Sequence, residues 1–86
     1  MPKTYNDIYF SVRNILRENG VEAYSLEARI LLASAAGKTT EALMRDMYLY
    51  TSSDIENRAL AMVQRRVEGE PIAYIAGSWE FYGLPI

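Results

Sequence analysis

The sequence predicts an all-α fold, a small bundle of about five helices, and three features of the chain support it. Apolar residues recur at intervals of three and four along most of its length, the period of a helix with one buried face. Gly20, Gly37 and Gly69 separate these runs, each placed where a left-handed residue would close a helix. The connections between runs are short, which in a helical chain implies neighbours folded back on one another as an antiparallel bundle. At 86 residues there is room for one small domain. Half the residues are apolar and 23% are charged, a globular composition rather than a disordered one.

The first helix is expected from about Thr4, with the Thr4 hydroxyl and Asp7 forming a box-like cap. Tyr5, Ile8, Tyr9, Val12, Ile15 and Leu16 supply its apolar face, and Gly20 stops it. Ser25 is the expected cap of the second helix, which runs through Leu26, Ile30, Leu31, Leu32 and Ala35 to Gly37. Its apolar residues lie on most sides, so it should be the central helix. Thr39 or Thr40 opens a shorter third helix through Leu43, Met44 and Met47. The stretch from Tyr48 to Tyr50 fits a helix end or a short strand equally well. Ser53 and Glu56 read as the capping box of a fourth helix whose face is Ile55, Ala59, Met62, Val63 and Val67. Gly69 ends it, and Pro71 suits the first turn of a short fifth helix reaching Ala76. Beyond Gly77, Trp79, Phe81 and Leu84 alternate as the opening of a strand. A strand begun there has no partner within the chain, so the sequence reads as part of a larger protein.

Several kinds of chemistry are excluded by composition. The chain has no histidine and no cysteine, which removes a zinc site, a histidine-based triad and a thiol nucleophile. Its glycines are far apart, so none forms a phosphate-cradling loop. Glu68 and Glu70 flank Gly69 and read as solvated loop carboxylates rather than an acid–base pair. Nine basic and eleven acidic residues are dispersed along the chain, leaving a net charge of −2 and no basic block to neutralise phosphates. Direct nucleic-acid binding is therefore not expected. No apolar run approaches the ~20 residues needed to span a bilayer, and the N-terminus lacks a signal-peptide core; a cytoplasmic location is the expectation. A carrier protein would need an Asp before Ser25-Leu26, where Tyr24 stands. A helix-turn-helix reader would need more than Arg29 on the second helix.

One stretch is distinctive: Arg65-Arg66, then Gly69-Glu70-Pro71-Ile72-Ala73-Tyr74-Ile75-Ala76-Gly77, then Glu80-Phe81 and Leu84-Pro85. It resembles the junction between the helical N-terminal domain and the catalytic domain of HemK-type methyltransferases, the peptide chain release factor glutamine methyltransferases. Ser25-Leu26-Glu27-Ala28-Arg29-Ile30-Leu31-Leu32-Ala33, closing on Gly37-Lys38, is similar to the second helix of that family. The resemblance implies that residues 1–76 are a helical substrate-recognition domain and 77–86 the start of a β-hairpin linker. A Rossmann-like catalytic domain would follow. It further implies an enzyme that uses S-adenosylmethionine to methylate the glutamine of a Gly-Gly-Gln motif in class I peptide chain release factors. The family's glycine-rich cofactor loop and Asn-Pro-Pro-Tyr motif do not occur in this chain.

No catalytic, cofactor-binding or metal-binding residue is therefore assigned within these residues, and the chain alone is expected to be inactive. The expected partners are the release factor and the chain's own catalytic domain. Arg65 and Arg66 close the fourth helix, where they complement its dipole or reach one of those partners. Tyr74 and Trp79 lie in the junction motif and suit packing between domains. Arg13 and Arg17, on the exposed side of the first helix, complete the candidate contact set. The alternative is a stand-alone helical module for protein–protein interaction.

Overall fold

The structure, a computed structural model, describes residues 3–76. In chain order it comprises β1 (Lys3–Thr4), α1 (Tyr5–Glu18), α2 (Tyr24–Ala36), α3 (Thr40–Arg45), β2 (Tyr50–Thr51), α4 (Ser53–Val67) and α5 (Ile72–Ala76). The fold is all-α, as expected, with one short antiparallel pair of strands added. The expected hairpin and Trp79 lie outside the described residues.

The central position of α2 follows from its sequence. Ala28, Leu31, Leu32, Ala33 and Ala35 are buried on several sides of the helix, and α2 packs against each of the other four helices. Around it α1 buries Tyr5, Ile8, Val12 and Leu16, α3 buries Leu43, α4 buries Ala59, Met62 and Val63, and α5 buries Ile75 and Ala76. Among the described residues no polar or charged residue is buried in this core. Burying each large aliphatic side chain contributes about 1.5–3 kcal/mol, so apolar packing holds the fold.

The helix ends repeat one device. After α1, α2 and α4 the chain turns through Gly20, Gly37 and Gly69, all at positive φ. The residue after each glycine donates its N–H back into the last turn: Val21 to the Leu16 carbonyl, Lys38 to Ala33, Glu70 to Arg65. Each glycine N–H bonds one carbonyl later, to Arg17, Ser34 and Arg66 respectively. These paired bonds form the Schellman motif and satisfy carbonyls that a helix end leaves free. Arg58 of α4 adds a further bond, its guanidinium donating to the Ala35 carbonyl at 2.8 Å.

The start of α1 explains the strand pair. Thr4 Oγ1 accepts from the Asp7 N–H (3.1 Å), and Asp7 Oδ2 accepts from the Thr4 N–H (3.0 Å), the expected capping box. Two free N–H groups remain in the first turn. Tyr5 donates to the Leu49 carbonyl (3.1 Å) and Asn6 to the Met47 carbonyl (2.8 Å). The segment after α3 thus lies across the α1 N-terminus, and Lys3 and Thr4 pair there with Thr51 and Tyr50. This settles the Tyr48–Tyr50 ambiguity in favour of a strand at its last residue.

Three local expectations are corrected. Ser25 does not cap α2: the helix starts two residues earlier than that cap implies, at Tyr24 behind Ala23, without a side-chain cap, and the Ser25 hydroxyl accepts from Arg13 instead. The α4 cap is Ser52 rather than Ser53, its hydroxyl accepting from the Ile55 N–H. That shift releases Glu56 to pair with Lys3 of β1. Met47 is buried but lies beyond α3, which ends at Arg45 because the chain must turn to reach α1.

Candidate functional site

The two arginines that close α4 have different surroundings. Arg66 reaches across to α2, where its guanidinium donates to both carboxylate oxygens of Glu27 at 2.6 and 3.5 Å. The two side chains are only 25% and 13% exposed, so the pair is a partly buried bridge between α2 and α4. Arg65 turns the other way and forms two bonds with Glu70 just past the Gly69 turn. That carboxylate is held below its usual range by the Arg65 hydrogen bonds. Both arginines therefore have intramolecular partners. Glu70 is engaged by Arg65, and Glu68 accepts from Gln64. The two carboxylates flanking Gly69 have different partners and do not act as one pair.

An open cleft of about 500 Å³ lies between the α1–α2 turn and the end of α4. Its lining includes Asn19, Glu22, Glu27, Arg66 and Gly69. Its one close charge pair, Glu27 with Arg66, is already neutralised. Among the described residues no three acidic side chains gather as a metal site would require. The one carboxylate of the cleft without a partner among the described residues, Glu22, is exposed to solvent, and no base or nucleophile stands beside it.

Arg13 and Arg17 sit one turn apart on α1. Arg13 is half-buried: its Nε donates to Ser25 Oγ at 3.2 Å, and its guanidinium lies 4.9 Å from the Tyr24 ring centre and 5.9 Å from that of Phe10. Arg17 is exposed in the last turn of α1. Tyr74 is 73% exposed on α5, whose Ile75 and Ala76 are buried, and the Ala76 carbonyl is held by the Ser34 hydroxyl at 3.1 Å. The structure therefore separates the candidates into an α4 pair, an α1 pair and Tyr74. Phe10 and Tyr24 join Arg13 of the α1 pair and had not been singled out as contacts. The spacing of Phe10, Arg13 and Arg17 along one helical stripe was the available signal.

The family described as the PrmC N-terminal domain matches residues 10–77. The chain belongs to that family. A release factor glutamine methyltransferase of Bradyrhizobium diazoefficiens is 39% identical over 70 residues, covering 81% of this chain and 24% of the relative. One of Rhodopirellula baltica is 36% identical over 99 aligned residues, covering 100% of this chain and 31% of the relative. A bifunctional methyltransferase of Rickettsia typhi is 34% identical over 82 residues, covering 95% of this chain and 16% of the relative. The chain thus spans about a quarter of the length of the release factor methyltransferases it matches. No solved structure matches it. As a PrmC N-terminal domain, the chain has a helical fold whose matched span takes in all of α2 to α5 and most of α1. Among the described residues no helix is long and apolar enough to cross a membrane.

Proposed function

We propose that this chain is the substrate-holding N-terminal domain of a methyltransferase acting on class I peptide chain release factors. The modification would be methylation of the glutamine side-chain amide in their Gly-Gly-Gln motif. Membership of the PrmC N-terminal domain family carries the proposal, supported by similarity to proteins named release factor glutamine methyltransferases. In this reading residues 1–76 form the recognition domain, and 77–86 lead towards a catalytic domain in a cytoplasmic enzyme. Tyr74, exposed beside the buried end of α5, suits a contact with that domain.

The described residues do not fit S-adenosylmethionine. The main cleft has no aromatic wall for the adenine, and its Glu27 is bound to Arg66 rather than free for a ribose. The methyl donor is therefore assigned to the catalytic domain, and no reaction step is assigned to this chain. What the chain supplies is position. An amide nitrogen is a poor nucleophile, and holding it against a methyl donor removes much of the entropic barrier to reaction.

Two measurements on the 86-residue chain test the proposal. Calorimetric titration with a class I release factor should give saturable one-to-one binding. Incubation with S-adenosylmethionine and the same factor should give no methylglutamine by mass spectrometry. Absence of binding would defeat the recognition role, and turnover would defeat the assignment of chemistry elsewhere.

A further inference from the structure

The nine basic residues of the chain fall into three groups. Lys3, Lys38, Arg45, Arg65 and Arg66 each stand within salt-bridge distance of a carboxylate. Arg58 bonds the C-terminal end of α2 through the Ala35 carbonyl. Arg13, Arg17 and Arg29 remain. Among the described residues none of the three has a carboxylate partner, although the chain holds eleven acidic residues against nine basic ones.

These three are also linked in space. Arg13 and Arg17 occupy positions one turn apart on α1, a like-charge spacing that by itself disfavours a helix. Arg13 bonds Ser25, and Ser25 lies one turn before Arg29 on the same side of α2. Arg13 therefore bridges α1 and α2, Arg17 continues its stripe on α1, and Arg29 carries the α1–α2 face to its edge at the groove between α2 and α3. Aromatic side chains accompany them. The Arg13 guanidinium lies 4.9 Å from the Tyr24 ring centre and 5.9 Å from that of Phe10, and Phe10 is 46% exposed, a large apolar ring left towards solvent. At the other end Arg29 lines an open groove of about 220 Å³ with the exposed side chains of Leu26 and Met44. Glu41 lines the same groove but forms no ion pair with Arg29. The Arg29 Nε is inaccessible and has no hydrogen-bond partner, a donor whose desolvation is uncompensated.

We propose that the α1–α2 seam is the surface on which the protein substrate docks, and that it grips an acidic segment carrying an apolar side chain. Carboxylates of that segment meet Arg17, Arg13 and Arg29, and the apolar side chain enters the groove between Leu26 and Met44. The proposal rests on the reading of the chain as a substrate-holding domain, and it adds where the substrate lies and what chemistry is recognised. Arginine suits this role because its planar fork bonds a carboxylate through two donors, and packing beside aromatic rings lowers the entropy lost when it does so. The dipole of α1 accounts for a basic residue at Arg17, but not for Arg13 beside its two rings or the unpaired Arg29. Nucleic acid is the less suitable occupant. Three arginines in a chain with an isoelectric point near 5.0 face a polyphosphate with an unfavourable overall field, and the groove is walled by Leu26 and Met44.

The test follows the arginine Nε–H resonances of the isotope-labelled 86-residue chain during three titrations. The ligands are a class I release factor, a synthetic peptide alternating glutamate with leucine, and an oligouridylate. Factor and peptide should each shift the Arg13, Arg17 and Arg29 signals and leave Arg45, paired with Asp46 outside the seam, unmoved. Arg17→Glu, at an exposed position, should weaken factor binding about tenfold with the amide spectrum preserved. Arg13→Lys, which keeps the charge and loses the planar fork, should weaken it less, and Arg45→Glu should leave it unchanged. Factor binding that leaves the three signals still, or that survives both Arg17→Glu and Arg29→Gln, overturns the seam and leaves the substrate-holding reading standing. Peptide shifts at the three arginines with no factor binding overturn that reading and retain the seam as an acidic-peptide surface. Binding of neither overturns both. Tighter binding of the oligouridylate than of the peptide overturns the choice of a protein partner.

Discussion

Replacing Arg66 by alanine separates a structural arginine from a contact arginine. The bridge from Arg66 to Glu27 joins residues 39 apart in sequence and ties the end of α4 to the start of α2. Exposed ion pairs contribute about 0.2–1 kcal/mol, whereas losing one member of a fully buried pair costs about 3–5 kcal/mol. With side chains 25% and 13% exposed, this pair falls between those limits. Arg66→Ala leaves the Glu27 carboxylate largely desolvated and without its partner, and it also removes the packed aliphatic stem. A cost of about 2 kcal/mol follows. For a domain of this size that lowers the urea midpoint by about 2 M, or the Tm by roughly 10 °C. Glu27→Ala should cost about 1 kcal/mol, since the remaining guanidinium retains more access to water. A double-mutant cycle followed by circular dichroism should then return a coupling of about 1 kcal/mol. Arg65→Ala is the control: its partner Glu70 is exposed, and stability should hardly change. Zero coupling, with Arg66→Ala as stable as wild type, would refute the argument and free Arg66 for an external partner.

The core, the turns and the surface charges give three further expectations. Leu32→Ala removes a side chain with no exposure from the centre of α2 and should cost about 2–5 kcal/mol of a total of roughly 4–13 kcal/mol, measured by urea denaturation. Gly37→Ala should cost about 1 kcal/mol in the same assay. A Cβ there meets nothing within 4 Å, so that cost comes from the positive φ of 69° rather than from a clash. Asp46 is held below its ordinary 3.8 by hydrogen bonds first from Arg45 and then from Lys38, and Glu70 below its ordinary 4.5 by those from Arg65. In each case the folded form releases its proton more readily than the unfolded chain. The stability these pairs contribute is therefore present above the ordinary values and is lost as pH falls through the lowered folded ones. Thermal unfolding from pH 5 to pH 2 should show that loss chiefly through Asp46, whose side chain is 14% exposed. Asp46→Asn should therefore make it shallower, whereas Glu70→Gln, at an exposed pair, should change it little.

How much of this was legible in the sequence depended on the range of the interaction concerned. The stops at Gly20, Gly37 and Gly69 and the Thr4–Asp7 box were readable because each is built from residues within one turn. The central place of α2 was readable from apolar residues on most of its sides. Ser25 misled because a serine before a leucine-rich run resembles a cap, while its hydroxyl is drawn into a bond with Arg13 on another helix. Strands of two residues have no periodicity, and β1 and β2 exist because the first N–H groups of α1 find carbonyls at Met47 and Leu49. The candidate site was the least legible part. Arg65 and Arg66 were notable for their position at a helix end, but their carboxylates become visible only in the fold. That Arg13, Arg17 and Arg29 have no carboxylate partner among the described residues is likewise visible only in the fold.

The central claim is that this chain binds a protein substrate and leaves the chemistry to another domain. Isothermal titration of the 86-residue chain with a class I release factor, S-adenosylmethionine present and the product analysed by mass spectrometry, tests both halves together. The account predicts saturable one-to-one binding and an unmodified Gly-Gly-Gln glutamine at the end of the titration. Heat limited to dilution, or a methylated glutamine in the recovered factor, would contradict it.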